Sequence, residues 1–269
     1  RYYETLLSGE ILAPIETDWT YRNFVALEQD VSNSETAKQF FIDNLGTYSG
    51  LTLPKQSTEY ELGTQKDHRV LEFNDHSAGL AKLAKKLGMP LQSVLLAGHM
   101  KVMSLLSGED HTVTSVTVNG RPEQEGAEQS LGLYLNSLPL AVSLAPSTWS
   151  ELISNINEIY RQGMSYRRYP LNNIQQALGQ DFGEVSFNYT YFHVYGSVDE
   201  EIEKQGLEVI DARGFEQTNY GLVINMSQFV GTEGLGLDIS FDASLYSAAF
   251  IERLGEMYVR VYQSLLADL

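Results

Sequence analysis

Residues 112–140 read TVTSVTVNGRPEQEGAEQSLGLYLNSLPL, and they constrain the architecture more than any other part of the chain. β-Branched side chains run from Thr112 to Val118, where they favour a pleated strand, and Asn119-Gly120 ends it with a dipeptide suited to a tight turn. An acidic loop, Glu123 to Glu128, leads to a second strand that is apolar from Leu138 to Leu144. Before the first strand, Pro90 starts a helix to Ser107 that is apolar on nearly every side, and such a helix has to be buried. After the second, Thr148 and Glu151 have capping-box spacing ahead of a helix bearing Trp149, Leu152, Ile153, Ile156, Ile159 and Tyr160. Buried helix, two strands and amphipathic helix in series predict a mixed α/β fold, one sheet with helices packed on it.

Working outward, Ser32 and Glu35 also have capping-box spacing, and Phe40, Phe41 and Leu45 predict a helix over 33–45 that ends at Gly46. A short element around Tyr21 to Gln29 precedes it, and Tyr2 to Leu12 reads as a helix tail running into Pro14. Arg69 to Phe73 alternates like a strand. Ser77 is expected to cap a helix carrying Leu80, Leu83, Ala84 and Leu87, with Gly88 just past its end. Four alternating stretches, 185–194, 207–213, 220–230 and 235–242, read as strands, with Val185, Phe187, Tyr189, Tyr191 and His193 on one face. A final helix spans about Ser247 to Leu266. Without an internal repeat or linker, the expectation is one compact unit.

The chain has 269 residues and a formal charge of −17, which argues against nucleic acid or an anionic membrane as partner. Cysteine is absent, so disulfides, thiolate nucleophiles and cysteine-based zinc sites are excluded together. Residues 1–20 carry no signal pattern, and the longest apolar run, Val94 to Leu106, is interrupted by His99 and Lys101, so a cytoplasmic protein is expected. The chain starts Arg-Tyr-Tyr, as a piece of something longer would.

Acid–base chemistry near neutral pH would fall first to the five histidines. His99 lies in the apolar helix and reads as a core residue; His193 sits among tyrosines and reads as packing; His68, His76 and His111 read as surface. None has the spacing of a metal site, and no catalytic residue or metal ligand is assigned. G-x-S-x-G, P-loop and G-x-G-x-x-G patterns are missing, and Gly231-Thr-Glu-Gly234-Leu-Gly236 puts a carboxylate where a phosphate would approach. By residue chemistry the chain looks like a half without its reactive group.

Val116 to Pro122 with Leu131 to Leu140, Tyr21 to Gln29 with Ala37 to Phe41, Tyr166 to Ile174, Phe187 to Phe192 and Asp242 to Tyr246 together resemble the condensation domain family of nonribosomal peptide synthetases, with its chloramphenicol acetyltransferase-like fold. Val116-Thr-Val-Asn-Gly-Arg-Pro122 with Leu131-Gly-Leu-Tyr-Leu-Asn-Ser-Leu-Pro-Leu140 is similar to the family's GRP…GxFxNTLPL block, the most specific match. Tyr21 to Gln29 with Ala37-Lys-Gln-Phe-Phe41, Tyr166-Arg-Arg-Tyr-Pro-Leu-Asn-Asn-Ile174, Phe187-Asn-Tyr-Thr-Tyr-Phe192 and Asp242-Ala-Ser-Leu-Tyr246 resemble further blocks in the expected order. Phe187-Asn-Tyr189 also starts like the FNYLG of epimerization domains, but Thr190-Tyr191 departs from it, which favours condensation.

The resemblance implies amide formation between a carrier-bound acyl or peptidyl donor and a carrier-bound aminoacyl acceptor. It also implies an H-H-x-x-x-D-G motif that this chain does not contain, so the chain is expected to be the C-terminal subdomain alone and inactive by itself. Residues 1–30 would be a crossover from the missing N-terminal subdomain, 119–139 the floor loop and about 215–242 the latch. Asn119, Arg121, Asn136, Thr218 and Tyr220 are expected in the substrate tunnel or as structural clamps, and Arg161, Arg167 and Arg168 at a carrier-docking surface. No cofactor is expected to bind directly; substrates would arrive on the phosphopantetheine of donor and acceptor peptidyl carrier proteins. The alternatives are an epimerization or related acyltransferase domain of the same fold, and a non-catalytic module that recruits carriers.

Overall fold

The apolar residues divide between two faces of one sheet, and that division builds the fold. The computed structural model describes residues 18–55, 66–145, 148–192, 218–229 and 234–268, with positions 5, 9 and 11 in isolation. Its strands are β1 (Lys66–Glu72), β2 (His111–Asn119), β3 (Leu135–Ser143), β4 (Val185–Phe192), β5 (Leu222–Phe229) and β6 (Leu235–Asp242). Its helices are α1 (Thr20–Ser32), α2 (Glu35–Leu45), α3 (Asn74–Leu87), α4 (Leu91–Ser107), α5 (Trp149–Gly163), α6 (Leu171–Leu178) and α7 (Ala248–Asp268). The strand order is β1-β6-β5-β4-β2-β3, with the β2–β4 and β4–β5 pairs parallel and the remaining pairs antiparallel. This is the mixed α/β architecture that the sequence predicts.

Alternation along the strands sends Val185, Phe187, Leu222, Ile224, Met226, Leu235, Leu237, Ile239 and Phe241 into one core under α3, α4, α5 and α7. A second, smaller core places α2 and α6 over the β2–β3 edge, through Phe41, Leu45 and Ile174 against Val113, Val118, Leu138 and Ala141. α4 lies at the centre of the larger core, with Val94 to Met100, Val102 and Met103 buried, as its apolarity requires. Thr148 and Glu151 form the expected reciprocal capping box at the start of α5, and Gly88 takes the left-handed conformation that ends α3.

His99 is a core residue, as read from the sequence. Its Nδ1 lies 2.7 Å from Tyr258 Oη and its Nε2 3.0 Å from Thr114 Oγ1. Thr114 donates its hydroxyl proton to the Val185 carbonyl, so its oxygen accepts from Nε2–H and Tyr258 donates to Nδ1. One neutral imidazole thus joins α7, α4, β2 and β4, and its burial pushes its pKa down to about 3.

Three local expectations are corrected. The cap of α2 is Ser34, whose Oγ accepts from Ala37 N; Ser32 is the last residue of α1, so its spacing to Glu35 is coincidental. Ser77 is a buried residue inside the first turn of α3, which starts at Asn74. β3 begins at Leu135, ahead of its apolar stretch, because pairing with Asn119 extends the ladder to the turn. The expected strand at 207–213, His193 and nearly all of Tyr2 to Leu12 lie outside the described residues.

Candidate functional site

The loop between β2 and β3 is held by side chains that the sequence singles out. Asn119 Oδ1 accepts from Arg121 N at 2.9 Å, and Gly120 N donates to the Tyr134 carbonyl at 2.7 Å, which closes the loop. A side chain at 120 would put its Cβ 2.9 Å from the Phe24 ring, so glycine is required there. The Arg121 guanidinium turns into the loop: Nη1 donates to the Ala127 and Ser130 carbonyls at 2.6 and 2.7 Å, and its plane lies 3.9 Å from the centre of the Tyr134 ring. Tyr134 is buried and shares a 2.8 Å hydrogen bond with Ser130, whereas Leu131, Leu133 and Leu135 on either side of it are exposed by 93%, 68% and 56%. The loop therefore carries an apolar ridge above an internally satisfied base.

Asn136 anchors this loop to the turn between α5 and α6, donating from Nδ2 to the Arg167 and Tyr169 carbonyls at 3.0 and 2.8 Å. From the other side, Arg167 Nε donates to the Asn119 carbonyl at 3.1 Å and Arg168 Nε to the Gly120 carbonyl at 2.7 Å. Both arginines also grip Glu123. Partial burial pushes the Glu123 carboxyl up, but Arg168 and Arg167 outweigh it and hold the pKa below its ordinary value. The Arg167 and Arg168 side chains are only 15% and 17% exposed because their donors hold the loop backbone. Arg161 is exposed, paired through two hydrogen bonds with Glu158 on the same helix.

Thr218 and Tyr220 lie just ahead of β5. With Lys66, Val223, Ser240 and Phe241 they line a cavity of about 20 Å³, enough for about one water. Lys66 Nζ donates to the Tyr220 carbonyl at 3.1 Å and pairs with Asp242 at 3.4 Å, and the buried Tyr220 hydroxyl has no partner among the described residues.

The sequence reading missed the sheet face that starts at this cavity. Opposite the apolar core, register aligns Ser186, Val223, Ser240 and His68 in one row across β4, β5, β6 and β1, and Asn188, Asn225, Asp238 and Val70 in the next. Asn188 Nδ2 donates to Asn225 Oδ1 and Thr190 Oγ1, each at 3.3 Å. Asn188, Thr190, Asn225, Ser227, Asp238 and Ser240 are all partly buried. The signal was present as polar residues at every second position of three strands, a pattern that serves a solvated face equally well. No group of histidine, aspartate and glutamate among the described residues could hold a metal ion.

The family model for the condensation domain matches residues 1–269, the whole chain. The chain belongs to the condensation domain family. Among curated proteins it is 27% identical to the AMB antimetabolite synthetase AmbE of Pseudomonas aeruginosa, over 99% of this chain but 12% of that protein. It is 28% identical to surfactin synthase subunit 3 of Bacillus subtilis, over 81% of this chain and 17% of that protein. The chain thus spans a small fraction of the length of these relatives. Among solved structures, the first condensation domain of the calcium-dependent antibiotic synthetase aligns with a TM-score of 0.72 at 19% identity, covering 99% of this chain and 61% of that one. The epimerization domain from the third module of tyrocidine synthetase B aligns with a TM-score of 0.73 at 16% identity, covering 98% and 63%. At these identities the alignments establish the condensation-domain fold, which condensation and epimerization domains share.

Proposed function

We propose that this chain is the C-terminal part of a condensation domain that joins a carrier-bound acyl or peptidyl donor to a carrier-bound amine, and that the reacting histidine comes from outside the chain. The polar face of β4, β5, β6 and β1 forms one wall of the substrate channel, and the 119–139 loop forms its floor, with Leu131, Leu133 and Leu135 turned to the other half of the domain. Asn119, Arg121 and Asn136, together with Arg167 and Arg168, shape that floor without touching substrate. Thr218 and Tyr220 lie at one end of the wall, in the latch region. Substrates arrive on phosphopantetheine arms, and the cell compartment is the cytoplasm.

The observation that carries this reading is the family match over every residue of a chain that has no adjacent pair of histidines. His99, which lies in the core between Tyr258 and Thr114, is closed to substrate. A general base has to reach the proton it removes within hydrogen-bond distance. Two carrier proteins loaded with donor and acceptor, mixed with this chain alone, are therefore expected to give no amide above the uncatalysed rate, and adding the histidine-bearing half is expected to start turnover. Amide formation by the chain alone would show that the reactive group lies within it.

A further inference from the structure

The polar row across β4, β5 and β6 leads to a carboxylate that receives one hydrogen bond among the described residues. Asn188, Asn225 and Asp238 are directly opposed in register. The two asparagines bond each other, but Asp238, among the described residues, receives one hydrogen bond, from Ser240 Oγ at 3.4 Å. A carboxylate can accept about four. Burial raises the Asp238 pKa above its ordinary value, against the opposing pull of His68 and Ser240. Lys66, two rows along the same face, is engaged by Asp242 and the Tyr220 carbonyl. A partly desolvated carboxylate whose one hydrogen bond among the described residues is 3.4 Å long gains most from an N–H donor.

Adjacent strands lie about 4.8 Å apart, so Asn188 and Asp238 are about 10 Å apart across β5, the reach of about three extended residues. That geometry suits a chain with amide groups along its length and an amine at its end. Gly236, on the same face, keeps clear of the Ser227 hydroxyl, since a Cβ there would lie 3.0 Å from Ser227 Oγ.

We propose that Asp238 is the specificity-determining residue for the amine substrate: it accepts a hydrogen bond from a primary amine on a pantetheine arm, while Asn188 and Asn225 bond the amides of that arm. The assignment rests on the reading of this face as a channel wall. Its chemistry is that of a primary amine, whether the α-amine of an aminoacyl group or a side-chain amine.

The test is titration calorimetry on the protein that carries this chain, with three pantetheine amides: glycyl, with a free α-amine; Nα-acetyl-lysyl, with a side-chain amine; and N-acetylglycyl, with neither. Wild type is expected to bind one of the amine-bearing arms about tenfold more tightly than N-acetylglycyl, the worth of one charge-assisted hydrogen bond, and which arm gains identifies the source. D238N and D238S are expected to abolish that preference, and D238E to retain part of it. N225L, which crowds the row, is expected to weaken all three arms. A preference unchanged in D238N and D238S, with every arm weakened by N225L, overturns the Asp238 assignment alone. Arms that bind all these variants as they bind wild type overturn the assignment and the channel wall together.

Discussion

Replacing Gly98 by alanine is expected to lower the stability of the fold by about 2 kcal/mol or more. A Cβ at position 98 would lie 2.2 Å from Tyr262 Cε1 and 2.6 Å from Cζ, so the ring has to move. It has nowhere to go: Tyr262 is fully buried, donates to the Leu95 carbonyl at 2.7 Å, and is packed by Tyr258 and edge-on by Phe73. Alanine gains about 1 kcal/mol of intrinsic helix preference over glycine. Overpacking of this severity costs about 3 kcal/mol or more, so the clash outweighs that gain and takes a large share of a total stability of about 5–15 kcal/mol. Urea denaturation of the G98A variant measures the loss, and the G98A/Y262L pair, which removes the opposing ring, is expected to recover part of it. A melting temperature for the G98A variant equal to that of wild type would contradict this packing of α4 on α7.

His99 makes the stability of the fold depend on pH. Its folded-state pKa is pushed down to about 3, below the ordinary histidine value of about 6.5 that applies when the chain is unfolded. Below pH ~6.5 the unfolded chain binds a proton that the folded chain refuses, so stability is fully present above that pH and falls as pH drops towards 3. One group in this regime removes about 1.4 kcal/mol per pH unit, or about 2 kcal/mol between pH 6.5 and 5. The change of net charge towards zero acts the other way, so the diagnostic is the difference between wild type and H99Q, whose amide can serve both partners without titrating. Urea midpoints measured from pH 7 to 5 should diverge as the pH falls. Parallel pH profiles would show that His99 is protonated, or solvated, in the folded protein.

The elements read most directly from the sequence are those fixed by neighbours along the chain. α4 declared its burial through uniform apolarity, and Thr148–Glu151 marked the start of α5, because both depend on residues within a turn or two. The Ser32–Glu35 spacing failed by the same local logic: α1 already occupied Ser32, so the cap fell to Ser34. Asn119, Arg121 and Asn136 stood out as polar groups in apolar or turn settings, but their partners did not. Arg168 reaches the Arg121 carbonyl across 47 positions of sequence, so two arginines that look like a surface cluster are clamps of a distant loop. The polar rows of Asn188, Asn225 and Asp238 became visible only with the β4–β5–β6 register, since parallel pairing of β4 with β5 joins segments far apart along the chain.

The absence of cysteine provides the most direct test of the channel wall. A single cysteine at Ser227 lies on the polar face, and one at Arg260 lies on α7, where the native side chain is 79% exposed. In the protein carrying this chain, each is offered a carrier whose pantetheine thiol is activated as a mixed disulfide, and capture is followed by the mass of the cross-linked product. The expected result is that S227C captures the carrier arm faster than R260C despite its lesser exposure, because the arm is led along the polar face. Capture by R260C at an equal or greater rate would contradict the assignment of this face to the substrate channel.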